Sequence, residues 1–291
     1  MKKIAYFSYK GGAGRSSLAY NTIPILADEL DATAEQPIIL LDLDVDSAGL
    51  TFLLNVQDNG YYVQDIVNGR VPGSTRTPED TPLNEHPFFS KLVPVGRKLG
   101  LSIAKNNNIL FLPVKTGLNM EFSYDKPENY LRDVEKLCRK YKCKALLLDT
   151  PTGDQLTANW SLEVAKDILT TMKITHQFRK GTIDFLKRKD KEYNEKNFIL
   201  VPNCVPTEDI EIDGIKYNYD AVRQDIISKA TEAMQQNHIN TKMLEDGCFG
   251  IPEVKRFKLE EGILYKLDAF TEDEQKAYDM YNKVVKLLIK E

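Results

Sequence analysis

Residues 10–17 read Lys10-Gly11-Gly12-Ala13-Gly14-Arg15-Ser16-Ser17 and follow directly on the apolar run Ile4–Tyr9. Glycine fills three of the four positions from 11 to 14, with Lys10, Arg15 and two serines alongside. A plain strand-to-helix turn needs a glycine or two and has no use for those cations and hydroxyls. Strand, glycine-rich turn and helix start, in that order, are what a phosphate-binding loop requires. Glycine opens left-handed backbone that other residues avoid, so successive N–H groups can converge on phosphate oxygens, and the helix dipole adds partial positive charge. On this reading the backbone of Gly11, Gly12, Ala13, Gly14, Arg15, Ser16 and Ser17 cradles a polyphosphate. Arg15 offsets its charge, and the Ser16 hydroxyl reaches a bridging Mg²⁺.

The scaffold for such a loop is legible in the apolar runs. Ile4–Tyr9, Ile38–Leu43, Ile109–Val114, Ala145–Asp149, Ile168–Met172 and Phe198–Val201 are short and continuous rather than alternating, as strands covered on both faces should be. Between the first two, Ala19, Ile23, Leu26, Ala27 and Leu30 recur at helical spacing, with Pro24 expected to kink that helix or remove one hydrogen bond. Strands alternating with helices predict an α/β fold, a three-layer doubly wound and mostly parallel sheet. We expect a single domain over residues 1–291, with a surface loop around 71–87, an acidic, turn-rich insertion around 207–220 before a helix near Ala221–Gln236, and a C-terminal helix around 272–290.

Composition closes off other classes. Hydrophobic residues at 42% and charged residues at 28% exclude a disordered or collagenous chain, and no apolar run approaches the roughly 18 residues of a membrane span. Met1-Lys2-Lys3 precedes only four apolar residues, Ile4–Phe7, too few for a secretion signal. Four cysteines without a C-x-x-C pair predict a soluble protein of a reducing cytoplasm. A net charge of −4 gives no support to a large nucleic-acid surface.

Two further strands end in acids. Ile38–Leu43 runs into Asp42-Leu43-Asp44-Val45-Asp46, where Asp42 and Asp44 share a face if the strand stays extended. Ala145–Leu148 ends in Asp149-Thr150-Pro151-Thr152-Gly153, a pattern in which the acid holds Mg²⁺ directly or through water. Carboxylates at the carboxyl ends of parallel strands lie where open α/β sheets bind ligands, although solvated acids after a strand read the same way in isolation.

Lys10 to Ser17 resembles the deviant Walker A loop of the MinD/ParA family of dimeric P-loop ATPases, which carries an extra lysine at its start, here Lys10. A strict Walker A loop would have glycine where this chain has Tyr9. The departure is Arg15, which stands where most relatives have lysine and is not a conservative exchange. The resemblance implies a Mg²⁺-dependent ATPase. Asp44 would position the attacking water, within a switch that carries Val45 and Asp46 in place of the family's Pro and Gln. Ser16, Asp42 and Asp149 would serve the metal. Asn203, at the end of Phe198–Asn203, would meet the adenine edge, if it does not simply cap a turn. Pro252, in Gly250-Ile251-Pro252-Glu253, would lie near the base. Lys10 would act across a nucleotide-dependent homodimer on the partner's phosphates, giving Lys10, Asp44 and Arg15 catalytic roles. ATP and ADP are then the ligands, and an unidentified protein is the partner or cargo. Two alternatives stay open: a scaffold that senses ATP with little hydrolysis, and an ATP-dependent small-molecule ligase.

Other features read as structural. Cys138 and Cys143 lack a completing pair and read as core thiols, and His86, His176 and His238 adjoin no nucleophile motif. Arg179, Lys180, Lys187, Arg188, Lys189 and Lys191 read as a solvated helix face. The C-terminal stripe Ala277, Tyr281, Val284, Val285 and Leu288 predicts a helix docked on the body, since Glu272, Asp273, Glu274 and Asp279 would repel an anionic bilayer.

Overall fold

The computed structural model describes residues 1–57, 59–73, 78, 80–117, 129–189, 195–235 and 247–290. Among them the strands are β1 (Lys2–Phe7), β2 (Ile38–Asp42), β3 (Val93–Pro94), β4 (Ile109–Leu112), β5 (Ala145–Asp149), β6 (Asp167–Lys173), β7 (Asn197–Val205), β8 (Ile210–Ile212), β9 (Ile215–Tyr217) and β10 (Ile251–Pro252). Eight form one sheet in the order β10-β7-β6-β1-β5-β2-β4-β3, and β8 and β9 pair separately. The helices are α1 (Arg15–Glu29), α2 (Gly49–Leu53), α3 (Val63–Asn68), α4 (Asn129–Lys140), α5 (Leu156–Val164), α6 (His176–Lys189), α7 (Tyr219–Gln235) and α8 (Glu272–Ile289). This is the mostly parallel, doubly wound α/β architecture the apolar runs predict. No helix among the described residues is long and apolar enough to cross a membrane.

Packing divides the chain into two compact units, one of Met1–Ala5 with Leu26–Lys166 and one of Tyr6–Ile25 with Asp167–Glu291. In the first, β2 lies parallel to both β4 and β5, with Ile38 opposite Ile109 and Ala145 and with Asp42 opposite Asp149. Every residue of β2 and β5 is buried, which is why their sequences run apolar without alternation. β3 adds an antiparallel edge to β4. α4 buries Tyr130, Leu131, Val134, Leu137 and Cys138 at helical spacing, so Cys138 is the core thiol expected, and Cys143 is buried as well.

In the second unit β6 and β7 pair in parallel from Asp167↔Asn197 to Lys173↔Asn203. β10 continues the sheet beyond β7, setting Ile251 opposite Asn203. α8 buries the expected stripe of Ala277, Tyr281, Val284, Val285 and Leu288. Its start is a capping box: Thr271 Oγ1 accepts the Glu274 N–H at 3.4 Å, and the Glu274 carboxylate accepts the Thr271 N–H at 2.9 Å.

Several boundaries depart from the sequence expectation. β1 stops at Phe7 rather than Tyr9, because Tyr9 has turned its ring onto α6 at Gly181. α1 is not the one-sided helix its spacing implies; residues 21–27 are all buried, so Asn21 and Thr22 are spent on internal bonds and Pro24 sits in the interior. The insertion at 207–220 contains the β8–β9 hairpin, turned through Asp213 and Gly214 at φ +53° and +76°. The next helix starts at Tyr219, and Gln236 lies outside the described residues, as do 74–77 and 79 of the expected loop at 71–87. The loop's described residues between 72 and 85 are exposed or half-buried, while Val71 and, after a short 3₁₀ turn, His86 are buried near its two ends. The basic face of α6 is partly ion-paired, with Arg179 and Lys229 on Asp225 and Lys187 near Asp184, while the Lys189 side chain and Lys191 lie outside the described residues.

Candidate phosphate-binding site

The glycine-rich segment bridges β1 and α1 in the second unit. Gly12 and Gly14 adopt φ of +75° and +85°, left-handed backbone that a side chain would strain, so the loop uses its glycines for conformation. Gly11 and Gly12 are exposed, and a Cβ added at either would meet nothing within 4 Å. Open space over two adjacent backbone units at a helix N-terminus is what a phosphate tail needs, and any side chain there would obstruct it. The Leu18 N–H donates to Gly14 O at 2.9 Å, closing the first turn of α1 directly behind the loop. Arg15 is buried, at 5% exposure, whereas Ser16 and Ser17 are half-buried.

The flanks are braced within the same unit. Tyr6 Oη and Thr22 Oγ1 hydrogen-bond at 2.9 Å, and Phe7 stacks on Phe185 with centroids 4.6 Å apart. Gly181 leaves the gap into which Tyr9 fits, since a Cβ there would come within 2.6 Å of the Tyr9 ring. Asn21 ties α1 to the segment before α8: its Nδ2 donates to Ser17 O and Gly262 O, and its Oδ1 accepts the Leu264 N–H. Lys10 lays its ammonium 5.5 Å over the Phe178 ring of α6. Asn203, at the end of β7, donates from Nδ2 to Ala13 O at 2.9 Å, and Pro252 lies on the adjoining strand β10. This unit therefore brings together the loop, Lys10, Asn203 and Pro252.

The first unit gathers the three acids. Asp42 and Asp149 are the last residues of neighbouring parallel strands, in register and fully buried. Asp42 Oδ2 accepts the Thr51 N–H and hydroxyl at 2.9 and 2.7 Å, and its Oδ1 accepts the Asp44 N–H at 3.1 Å. Burial, and then the charge of Asp149, push the Asp42 carboxyl up to about 7 against the downward pull of those bonds. The expectation that Asp42 and Asp44 share an extended strand face fails. β2 ends at Asp42, and Asp44 sits in the following turn, where its carboxylate accepts the Ser47 N–H at 3.2 Å and hydroxyl at 2.5 Å. No cluster of three or more His, Cys, Asp or Glu able to hold a metal occurs among the described residues. Two hard oxygen donors side by side fit Mg²⁺, which keeps several waters and takes phosphate oxygens besides, rather than a fully protein-caged ion.

Sequence spacing missed several residues that shape these groups. Thr51 holds Asp42 from nine positions away, and Phe178 and Gly181 receive Lys10 and Tyr9 from a distant helix. None belongs to a local pattern; only the preference of a buried carboxylate for a hydroxyl donor pointed toward a residue such as Thr51.

The sequence matches no protein-family model and no curated protein. The structure does match solved ones over nearly its whole length. The cell division ATPase MinD of Pyrococcus furiosus aligns with a TM-score of 0.60 at 17% identity, covering 98% of this chain and 97% of that one. MinD of Pyrococcus horikoshii OT3, a septum site-determining protein complexed with Mg-ADP, gives 0.57 at 16% identity, over 99% and 96%. A McdA variant from Cyanothece in complex with ATP gives 0.60 at 16%, over 99% and 96%. The chain has the fold of the MinD/ParA ATPases.

Proposed function

We propose that this chain, built on the MinD/ParA fold, is a Mg²⁺-dependent, ATP-binding and ATP-hydrolysing member of that family, acting as a nucleotide-controlled dimerisation switch in partitioning, positioning or regulation. The observation that carries the reading is the left-handed backbone at Gly12 and Gly14 ahead of α1, with open space above Gly11 and Gly12. Nucleotide complexes of proteins sharing the fold support it.

In this reading the N–H groups from Gly11 to Ser17 hold the β- and γ-phosphates, and the buried Arg15 supplies fixed positive charge beside them. Ser16, Asp42 and Asp149 are the residues that would hold Mg²⁺. When bound, Mg²⁺ supplies charge neutralisation to the terminal phosphates. Asp44 orients the attacking water through a carboxylate that Ser47 already fixes. Lys10 leaves Phe178 to reach the phosphates of a second copy, an electrostatic stabiliser comparable to an arginine finger. Asn203 and Pro252 border the base. The chain works in the cytoplasm with a protein partner or cargo.

Light scattering of the chain with Mg²⁺ and no nucleotide, ADP or a non-hydrolysable ATP analogue tests the switch. A dimer only with the analogue is expected, and a mass indifferent to nucleotide contradicts it. Lys10→Ala should lose both analogue-dependent dimers and turnover, by about 10³-fold or more if it acts as arginine fingers do; no change in either removes its role in trans. Arg15 in place of lysine favours a second reading, a sensor that dimerises without appreciable hydrolysis. Phosphate release separates the two, since intact analogue-dependent dimers with no turnover would select the sensor.

A further inference from the structure

Asn203 is placed to do more than border a base. Its side-chain amide is fixed at both ends: Nδ2 donates to Ala13 O at 2.9 Å, and Oδ1 accepts the Cys204 N–H at 2.9 Å. A carbonyl at one end and an N–H at the other allow only one orientation of the amide. The backbone beneath it is equally determined, because Asn203 lies in register with Ile251 of β10 on one side and Lys173 of β6 on the other, and Cys204 takes a left-handed φ of +56°. The contact extends to the next loop residue. A Cβ built on Gly14 would run into Asn203 Nδ2, so the glycine and the amide occupy complementary space.

In a planar trans peptide the carbonyl of residue 13 and the N–H of residue 14 point in opposite directions. Anchoring Ala13 O on Asn203 therefore aims the Gly14 N–H away from Asn203. It also keeps the Ala13 carbonyl dipole from rotating toward an anion, where it would repel phosphate. We propose that Asn203 is a positioning residue for the phosphate tail: it fixes the Ala13–Gly14 peptide plane so that Gly14 presents a donor rather than an acceptor. This rests on the nucleotide-binding reading above and assigns Asn203 an energetic role that is independent of the base.

The test compares Mg²⁺ with ATP against Mg²⁺ with inorganic tripolyphosphate, which has no base, on wild type, Asn203→Ala and Asn203→Asp, with urea midpoints recorded for all three. Loss of one positioning hydrogen bond should weaken tripolyphosphate by about fivefold to tenfold in Asn203→Ala, and ATP by a similar factor. Asn203→Asp keeps the shape but cannot donate while ionised. Its tripolyphosphate affinity should lie below that of Asn203→Ala while the carboxylate repels the polyanion, and should climb above it as pH is lowered and the carboxyl gains the proton it can give to Ala13 O; loss of the charge alone would bring the two only level. If ATP weakens while tripolyphosphate binds as in wild type, Asn203 is a base contact and the proposal is wrong. An Asp-to-Ala affinity ratio that never exceeds one at low pH likewise overturns it. Wild type that binds neither ligand brings down the nucleotide reading, and this inference with it.

Discussion

At Gly14 conformation and neighbour coincide: the residue combines φ +85° with an amide where its Cβ would be, whereas Gly11 has neither constraint. The two positions therefore separate folding from binding. Gly14→Ala should cost about 1–2 kcal/mol of stability through its left-handed backbone, read from urea unfolding, and should also weaken nucleotide binding. Gly11→Ala should leave the urea midpoint nearly unchanged yet lower affinity for a fluorescent ATP analogue, because its new methyl enters the open cradle. Equal affinities for wild type and Gly11→Ala would show that the space over Gly11 is not where phosphate sits. These glycines are legible because a phosphate-binding loop, the role proposed for them, is a local pattern of consecutive backbone groups and so is written in consecutive letters. Asp42 and Asp149 were readable as strand-ending acids for the same reason. Their being in register, the hold of Thr51 and the seat of Lys10 on Phe178 were not, since each joins residues that only the fold brings together.

Among the elements, α8 is anchored by its cap. Thr271→Ala removes the oxygen that accepts the Glu274 N–H and should destabilise the chain by about 1 kcal/mol in denaturant unfolding. An unchanged midpoint would mean that α8 frays without cost. Glu274, 5% exposed, also meets Arg256 at 3.1 Å, so its loss should cost more than loss of the threonine hydroxyl. The turn around His86 predicts a pH effect. His86 Nδ1 accepts the Phe88 N–H at 3.2 Å, and burial, with Lys140 nearby, holds its pKa below the ordinary histidine value. A folded-state pKa below the unfolded one contributes stability that is intact above about 6.5 and is lost as pH falls through the folded value. Subtracting the stability–pH curve of His86→Leu from that of wild type should isolate this decline, and a difference flat from pH 7 to pH 5 would contradict it. Element types were legible where apolar runs were long. β3 and β10 were hidden by their two-residue length and by Pro94 and Pro252. For the β8–β9 hairpin Asp213-Gly214 is a strong turn signal, but the surrounding acids disguise the strand residues Ile210, Ile212 and Ile215.

For the whole molecule, the order of strands and helices follows from burial: runs such as Ile38–Leu41 and Ala145–Leu148 are apolar throughout because each is wholly enclosed. The buried centre of α1 extends the same logic to the helix that leaves the glycine loop, where residues 21–27 are enclosed on every side. A chain sharing only 16–17% identity with MinD and McdA keeps their fold, so it is on the loop rather than on overall similarity that the proposed tie to nucleotide chemistry rests. Calorimetric titration of the full chain with a non-hydrolysable ATP analogue in the presence of Mg²⁺ tests that tie most directly. Saturable heat at about one nucleotide per chain is expected, abolished when Gly11 and Gly12 are both replaced by alanine. Absence of binding up to millimolar nucleotide, with the protein folded, would contradict it.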